Sequence, residues 1–182
     1  MKKFYFTSGL FFLLFTGFGQ TEKGNWLLGG NISFTSASTT ENGNSSSGTL
    51  FSLNPKIGVF VVNNFTVILN TEYASTSSGG FSDHSLLIGP ALRYYFPGSE
   101  SVKFFAGAGI GFGTATSVTS TAYQFEAGPA FFIRPSVALE LNINYQIQDY
   151  KSSGAYSNTM KVSQFGIGVG FMIYLGKQKK NA

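Results

Sequence analysis

Residues 137–148 (VALELNINYQIQ) place Val, Leu, Leu, Ile, Tyr and Ile at every odd position and Ala, Glu, Asn, Asn, Gln and Gln at every even one. Successive side chains of a strand point to opposite faces, so this segment carries one apolar and one polar face along its length. Twelve residues of unbroken alternation are long for a strand of a soluble domain and suit one that crosses a bilayer at a tilt. The same period recurs along the chain and predicts eight strands, at 25–36, 49–62, 65–76, 84–96, 102–115, 121–133, 137–149 and 160–175. No helical period separates them. The connections alternate in kind. Residues 35–48 (TSASTTENGNSSSG), 75–83, 116–120 and 150–159 read as polar, mostly long loops, and Asn63-Asn64, 97–101 and 134–136 read as tight turns.

The apolar face must be assigned a side, because alternation alone also fits a soluble barrel around a ligand. Outward candidates include Trp26, Leu28, Ile32 and Phe34 in the first strand, and Phe165, Ile167, Val169, Phe171 and Ile173 in the last. The opposite face is rich in glycine, with Gly107, Gly109, Gly111 and Gly113 in the fifth strand and Gly166, Gly168 and Gly170 in the eighth. An eight-stranded barrel is only wide enough inside for its own side chains, so the small residues belong within and the large apolar ones face lipid. Composition agrees: 11% of residues are charged, against about 25% in an ordinary soluble domain. The fold class predicted is all-β, an eight-stranded antiparallel up-and-down transmembrane barrel.

The N-terminus adds an export signal. Lys2 and Lys3 precede an apolar run, 4–15, and Gly17-Phe18-Gly19 supplies small residues before Gln20; this is the pattern of a cleavable signal peptide. The domains expected are therefore a signal at 1–19, a barrel at 20–176 and a basic tail at 177–182. There are no cysteines, which excludes disulfides and lipid attachment through an N-terminal Cys. Removal of Lys2 and Lys3 leaves ten basic residues against eight acidic, with no basic footprint for nucleic acid.

With strands and faces placed, the chain resembles the small eight-stranded outer-membrane β-barrel family of OmpA/OmpX type, over the whole mature length. The pieces that carry the resemblance are LLIGPALRYYFP (86–97) and FEAGPAFFIRP (125–135), which repeat Gly-Pro-Ala before an aromatic strand end and a turn, and QFGIGVGFMIYL (164–175). The last is similar to the terminal strand read by the barrel-insertion machinery, although residues 176–182 follow it here. The resemblance implies a Gram-negative outer-membrane location reached through the periplasm, both termini in the periplasm, and a monomer. The partners implied are outer-membrane lipid, lipopolysaccharide and the insertion machinery. The family hosts many functions, so membership names none. The first expectation is a structural or surface-interaction role through the Ser/Thr-rich loops, which imply no ligand class. A narrow pore or transport accessory comes second, a lipid-modifying enzyme third and a soluble lipocalin-like barrel fourth.

Candidate chemistry is sparse. The glycine run of the fifth strand resembles a phosphate loop, but no helix follows it. Asp83-His84-Ser85 has the letters of a catalytic triad, yet neighbours on a strand face opposite ways; Ser82 and His84 share a face without a carboxylate to orient the imidazole. No catalytic, cofactor or metal site is expected. Six charges fall on the inward face: Lys56, Glu72, Arg93, Lys103, Glu126 and Glu140. A three-residue connection Asn63–Asn64–Phe65 would pair Val62 with Thr66 and set Lys56 across from Glu72. Arg93 and Glu140 would meet across the barrel, completing a neutral network that fills the lumen. Interface aromatics are expected at Trp26, Tyr94 and Phe96 at the short-turn end, and at Tyr73 and Tyr123 at the long-loop end. Pro55, Pro90 and Pro129 fall inside paired strands, where bulges or kinks are expected.

Overall fold

The computed structural model describes residues 20–41, 44–78, 81–115, 118–152 and 159–176. The strands are β1 (Trp26–Glu41), β2 (Asn44–Val62), β3 (Phe65–Ser78), β4 (Phe81–Tyr95), β5 (Val102–Ala115), β6 (Val118–Arg134), β7 (Val137–Ser152) and β8 (Thr159–Leu175). They form one closed barrel in chain order. β8 closes antiparallel on β1 from Trp26↔Leu175 to Thr39↔Val162. Closure leaves each strand with two neighbours, as a hydrocarbon surrounding demands, since no water is there to satisfy an open edge. The predicted signal, 1–19, and tail, 177–182, lie outside the described residues.

The face assignment holds along every strand. Trp26, Leu28, Ile32 and Phe34 of β1 are exposed while Leu27, Asn31, Ser33 and Thr35 are buried; in β7, Leu139, Leu141, Ile143 and Tyr145 are exposed while Glu140, Asn142 and Gln146 are buried. Such exposed large apolar side chains form an outer band around the barrel, four or five on six of the strands and two each on β3 and β5.

Three expectations are corrected. First, the polar stretches at the long-loop end are mostly strand. β1 and β2 stay paired through Thr35↔Leu50 as far as Glu41↔Asn44, and β3 and β4 through Ser78↔Phe81. Above the lipid band both faces meet water, so the apolar alternation stops. Thr-rich sequence still favours extended pairing, which marks the strand without marking its faces. Second, the β2–β3 turn is the two-residue Asn63-Asn64, with Asn64 at φ 65°, a left-handed conformation that Asn tolerates. Face parity is kept by a bulge between Phe60 and Val62, and a second bulge lies between Phe132 and Arg134. Beyond the first bulge Phe60 faces Thr66 and Lys56 faces Asn70, so Lys56 is not across from Glu72.

Third, none of the three prolines makes a bulge. Each interrupts the ladder for two residues on one side while the register runs on unchanged. Asn54 and Pro55 drop out of pairing with β3, Gly89 and Pro90 out of pairing with β5, and Gly128 and Pro129 out of pairing with β7. On the other side Pro55 still faces Gly30, Pro90 faces Leu69 and Pro129 faces Phe104. In an antiparallel strand a residue's N–H and C=O point to the same neighbour, so a proline breaks one ladder only. A Cβ placed on Gly89 would collide with the Ile110 oxygen, and one on Gly128 with the Leu141 oxygen, each on the strand that the proline no longer pairs with. In the repeated Gly-Pro-Ala, proline opens the ladder and glycine leaves room for a carbonyl of that neighbouring strand.

Gly128→Ala should therefore destabilise the barrel by about 1–3 kcal/mol, and Pro129→Ala should have the smaller effect, both read from urea titration of barrel refolded into lipid vesicles. Leu141→Arg, at the middle of the lipid face, should cost about 2–4 kcal/mol in the same titration.

Candidate functional site: the lumen charge cluster

The inside of the barrel is layered. At the short-turn end Leu27, Phe60, Ile68, Tyr95, Phe105, Met172 and Tyr174 are buried together. Their rings touch at centroid distances of 5.7 Å for Phe60–Tyr95, 5.9 Å for Tyr95–Phe105 and 6.1 Å for Tyr95–Tyr174. Residues preceding β1 cover this end from below. The Gly24 amide donates to the Phe60 carbonyl at 2.8 Å, the Asn64 amide to the Thr21 carbonyl at 2.7 Å, and Thr21 is buried.

Immediately above this plug lies a four-charge cluster centred on Arg93. Its Nη1 donates to both oxygens of Glu140 at 2.9 and 2.8 Å. Its Nε and Nη2 donate to Glu126 Oε1 at 2.9 and 2.6 Å. Lys56 Nζ donates to Glu126 Oε2. Tyr95 and Tyr174 each donate a phenolic hydrogen to Glu140 Oε1 at 3.2 Å. The guanidinium also lies 4.2 Å from the centroid of the Phe105 ring, a cation–π contact with the aromatic layer. The side chains of Arg93 and Glu140 are wholly buried. Two acids and two bases make the cluster neutral, as burial requires.

The strands position this cluster by leaving glycine beside each charge. Arg93 and Glu126 flank Gly107 in one cross-strand row, and a Cβ there would stand 3.2 Å from Glu126 Oε1. Lys56 faces Gly29 and Glu140 faces Gly170. The run of alternate glycines in β5 therefore clears the space that long side chains from β4 and β6 cross. Lys56 on β2 reaches Glu126 on β6, from opposite walls of a lumen narrow enough for them to touch.

Of the six predicted lumen charges, Lys56, Arg93, Glu126 and Glu140 come together, and the Arg93–Glu140 contact across the barrel is present. Glu72 and Lys103 do not join. Glu72 is buried higher up and accepts from Gln124 Nε2 at 2.9 Å. Lys103 Nζ donates to Thr21 Oγ1 at 2.8 Å, at the short-turn mouth. The predicted Lys56–Glu72 pair is absent because the two-residue turn and the bulge together move the β2–β3 register by two positions.

Sequence reading missed the inward Tyr95, Phe105 and Tyr174. The signal was available: Tyr94-Tyr95-Phe96, Phe104-Phe105 and 171–175 are apolar on consecutive positions, which places apolar groups on both faces. It also missed the amide chain above the cluster. Asn70 Nδ2 donates to Gln124 Oε1 at 2.8 Å, Gln124 Nε2 to Gln146 Oε1 at 2.9 Å, and Gln146 Nε2 to Gln148 Oε1 at 3.2 Å.

All five predicted interface aromatics point outward, with Trp26, Tyr73, Tyr94, Phe96 and Tyr123 exposed. Trp26 pairs with Leu175 and Tyr94 with Phe65, at the short-turn end. Tyr94 and Phe96 pack edge to face at 5.2 Å. Backbone pairing places Ser82, Asp83 and His84 opposite Ser77, Thr76 and Ser75; their side chains lie outside those described. Among the described residues no three His, Cys, Asp or Glu side chains gather as a metal group would require.

A closed antiparallel eight-stranded barrel with an apolar outer band and charges paired inside defines a transmembrane β-barrel of bacterial outer-membrane type. The sequence matches the outer membrane protein beta-barrel domain over residues 10–172, and the chain belongs to that family; it is an outer-membrane protein of Gram-negative type. Solved structures agree on the fold. Neisserial surface protein A (NspA) is 17% identical with a TM-score of 0.62, covering 83% of this chain and 97% of that one. AlkL, solved in lipid bilayers, is 13% identical with a TM-score of 0.57 and full coverage of both chains. OprG of Pseudomonas aeruginosa is 15% identical with a TM-score of 0.53, covering 87% of this chain and 100% of that one. No curated protein sequence matched.

Glu140→Gln should destabilise the barrel by about 3–5 kcal/mol, because it strips a buried guanidinium of one counter-charge. Glu72→Gln, whose carboxylate holds no ion pair among the described residues, should cost clearly less. The comparison is read from the thermal midpoints of heat-modifiable gel migration, with the exposed Glu100→Gln as reference.

Proposed function

We propose that this protein is a closed outer-membrane barrel whose role is structural or surface-interactive, exercised through the strand extensions at its long-loop end, which faces the cell exterior. The observation that carries the reading is the Arg93–Glu126–Glu140–Lys56 cluster, stacked on the aromatic layer, which fills the cross-section with paired side chains. Paired buried charges of this kind hold one arrangement, and removing either partner leaves an uncompensated ion. The reading is non-enzymatic, since both carboxylates of the cluster are already engaged by cations. Its partners are outer-membrane lipid and lipopolysaccharide around the apolar band and the insertion machinery during assembly, and the barrel acts as a monomer. The extensions support the surface role: the β1–β2 ribbon rises from Thr35↔Leu50 to Glu41↔Asn44 beyond the apolar band, in Ser, Thr and Asn.

A second reading, a narrow pore, is favoured by the polar chamber above the cluster. Planar-bilayer recording of the purified protein separates the two. The closed reading expects no stable unitary conductance from wild type; steady single-channel steps would overturn it and establish the pore.

A further inference from the structure

Between the charge cluster and the long-loop end the lumen holds a cavity of about 50 Å³, lined by Asn31, Asn70, Glu72, Asn142, Lys56 and Glu126 among others. At about 10–15 Å³ for each water-sized sphere, it has room for a small ion with part of its hydration shell. Two observations suggest what it takes. Lys56 and Arg93 are already matched by Glu126 and Glu140, and Lys103 lies at the far mouth on Thr21. This leaves Glu72, 8% exposed, as a buried carboxylate with no ion pair among the described residues. Around it, the side-chain oxygens of Asn31, Asn70 and Asn142 are buried and accept no hydrogen bond among the described residues, and neither does the Asn142 amide nitrogen donate one. Buried polar atoms are normally partnered, so unpartnered amide oxygens on residues lining a cavity, with a carboxylate there that holds one amide hydrogen bond and no ion pair among the described residues, call for a positive occupant.

The register places these groups in neighbouring inward rows of the barrel. Asn31 faces Asn54 across β1 and β2, and Asn70 and Glu72 sit on the same inward face of β3. Asn142 lies in the row Asn142↔Gly168↔Ser33, where a Cβ on Gly168 would collide with its side-chain oxygen.

We infer that this chamber is a binding site for a small monovalent metal cation, held by the Glu72 carboxylate and the side-chain oxygens of Asn31, Asn70 and Asn142. An all-oxygen donor set selects a hard cation, and a single carboxylate neutralises one charge, where calcium sites supply several. The inference rests on the closed-lumen reading. Bilayer recording reads closure and the experiment below reads the ion, so the two can fail separately.

The test is thermal unfolding of the refolded barrel in a zwitterionic detergent, with NaCl, KCl or choline chloride at matched ionic strength. Wild type should show a saturating rise in midpoint of about 2–4 °C in sodium or potassium over choline, and Glu72→Gln should abolish it while keeping heat-modifiable migration. Asn142→Ala should raise the cation concentration needed for half the effect. ²³Na relaxation measured on wild type, with excess potassium as competitor, gives a readout that needs no variant to fold. Equal midpoints in all three salts, or a shift retained in Glu72→Gln, would overturn the site, as would sodium relaxation unchanged by the barrel.

Discussion

A backbone amide in hydrocarbon has no water to turn to, and this constraint organises the whole molecule. It forbids an open sheet edge, so β8 must return to β1. Eight strands are the number at which the enclosed space is just filled by the barrel's own side chains. Every other feature is an adjustment to those two facts. The prolines show how much departure the constraint allows: each gives up pairing with one neighbour for two residues, and the register resumes without a slip. The accommodation is local, and glycine stands before two of the three, leaving room for a carbonyl of the neighbouring strand.

The same narrowness explains the order of layers in the lumen. Aromatic rings occupy the short-turn end, where residues 20–25 cover them from below and strands meet in tight turns. The ionic cluster follows, using the glycines of β1, β5 and β8 as gaps through which Lys56, Arg93, Glu126 and Glu140 reach across. Tyr95 and Tyr174 join the two layers, since their rings belong to the plug and their hydroxyls bond Glu140. Amides and hydroxyls then take over toward the long-loop end, where Ser33, Ser52 and Asn54 bond one another.

The barrel, its strand number and the side facing lipid were legible in the sequence because a bilayer imposes period-two alternation so strictly that Leu139, Leu141 and Ile143 could face only one way. The inward side of the six charges was legible for the same reason, since face parity is a sequence property; which four of them cluster was not. Register is not such a property. The two-residue turn and the bulge between Phe60 and Val62 each move the register by one position and together shift Lys56 from Glu72 to Asn70, and no alternation pattern reports either. The extent of β1 and β2 was hidden for a related reason, since above the lipid Ser and Thr face water on both sides and alternation has nothing to display. The inward Tyr95 and Tyr174 were hidden by the assumption that only small residues fit within; consecutive aromatics at the strand ends contradicted it.

The ionic cluster is better understood as a device that selects one register than as a source of stability. Buried ion pairs roughly balance the cost of desolvating them, and an apolar filling of equal volume would serve stability as well. What apolar filling cannot do is distinguish one register from the next. A one-residue slip turns every inward side chain outward, and it would place Arg93 or Lys56 against lipid at about 2–4 kcal/mol each near mid-membrane. With Arg93 on β4, Glu126 on β6, Glu140 on β7 and Lys56 on β2, half of the strands carry such a penalty. Arg93 and Glu126 join three of them directly to each other, and Lys56 brings in the fourth. Between Phe105 and its long-loop end the intervening β5 carries only glycines inside, at Gly107, Gly109, Gly111 and Gly113, so that stretch has no inward side chain to fix its position. Its register is set by the partners on either side: Arg93 and Glu126 meet across Gly107 only when β4, β5 and β6 are all aligned.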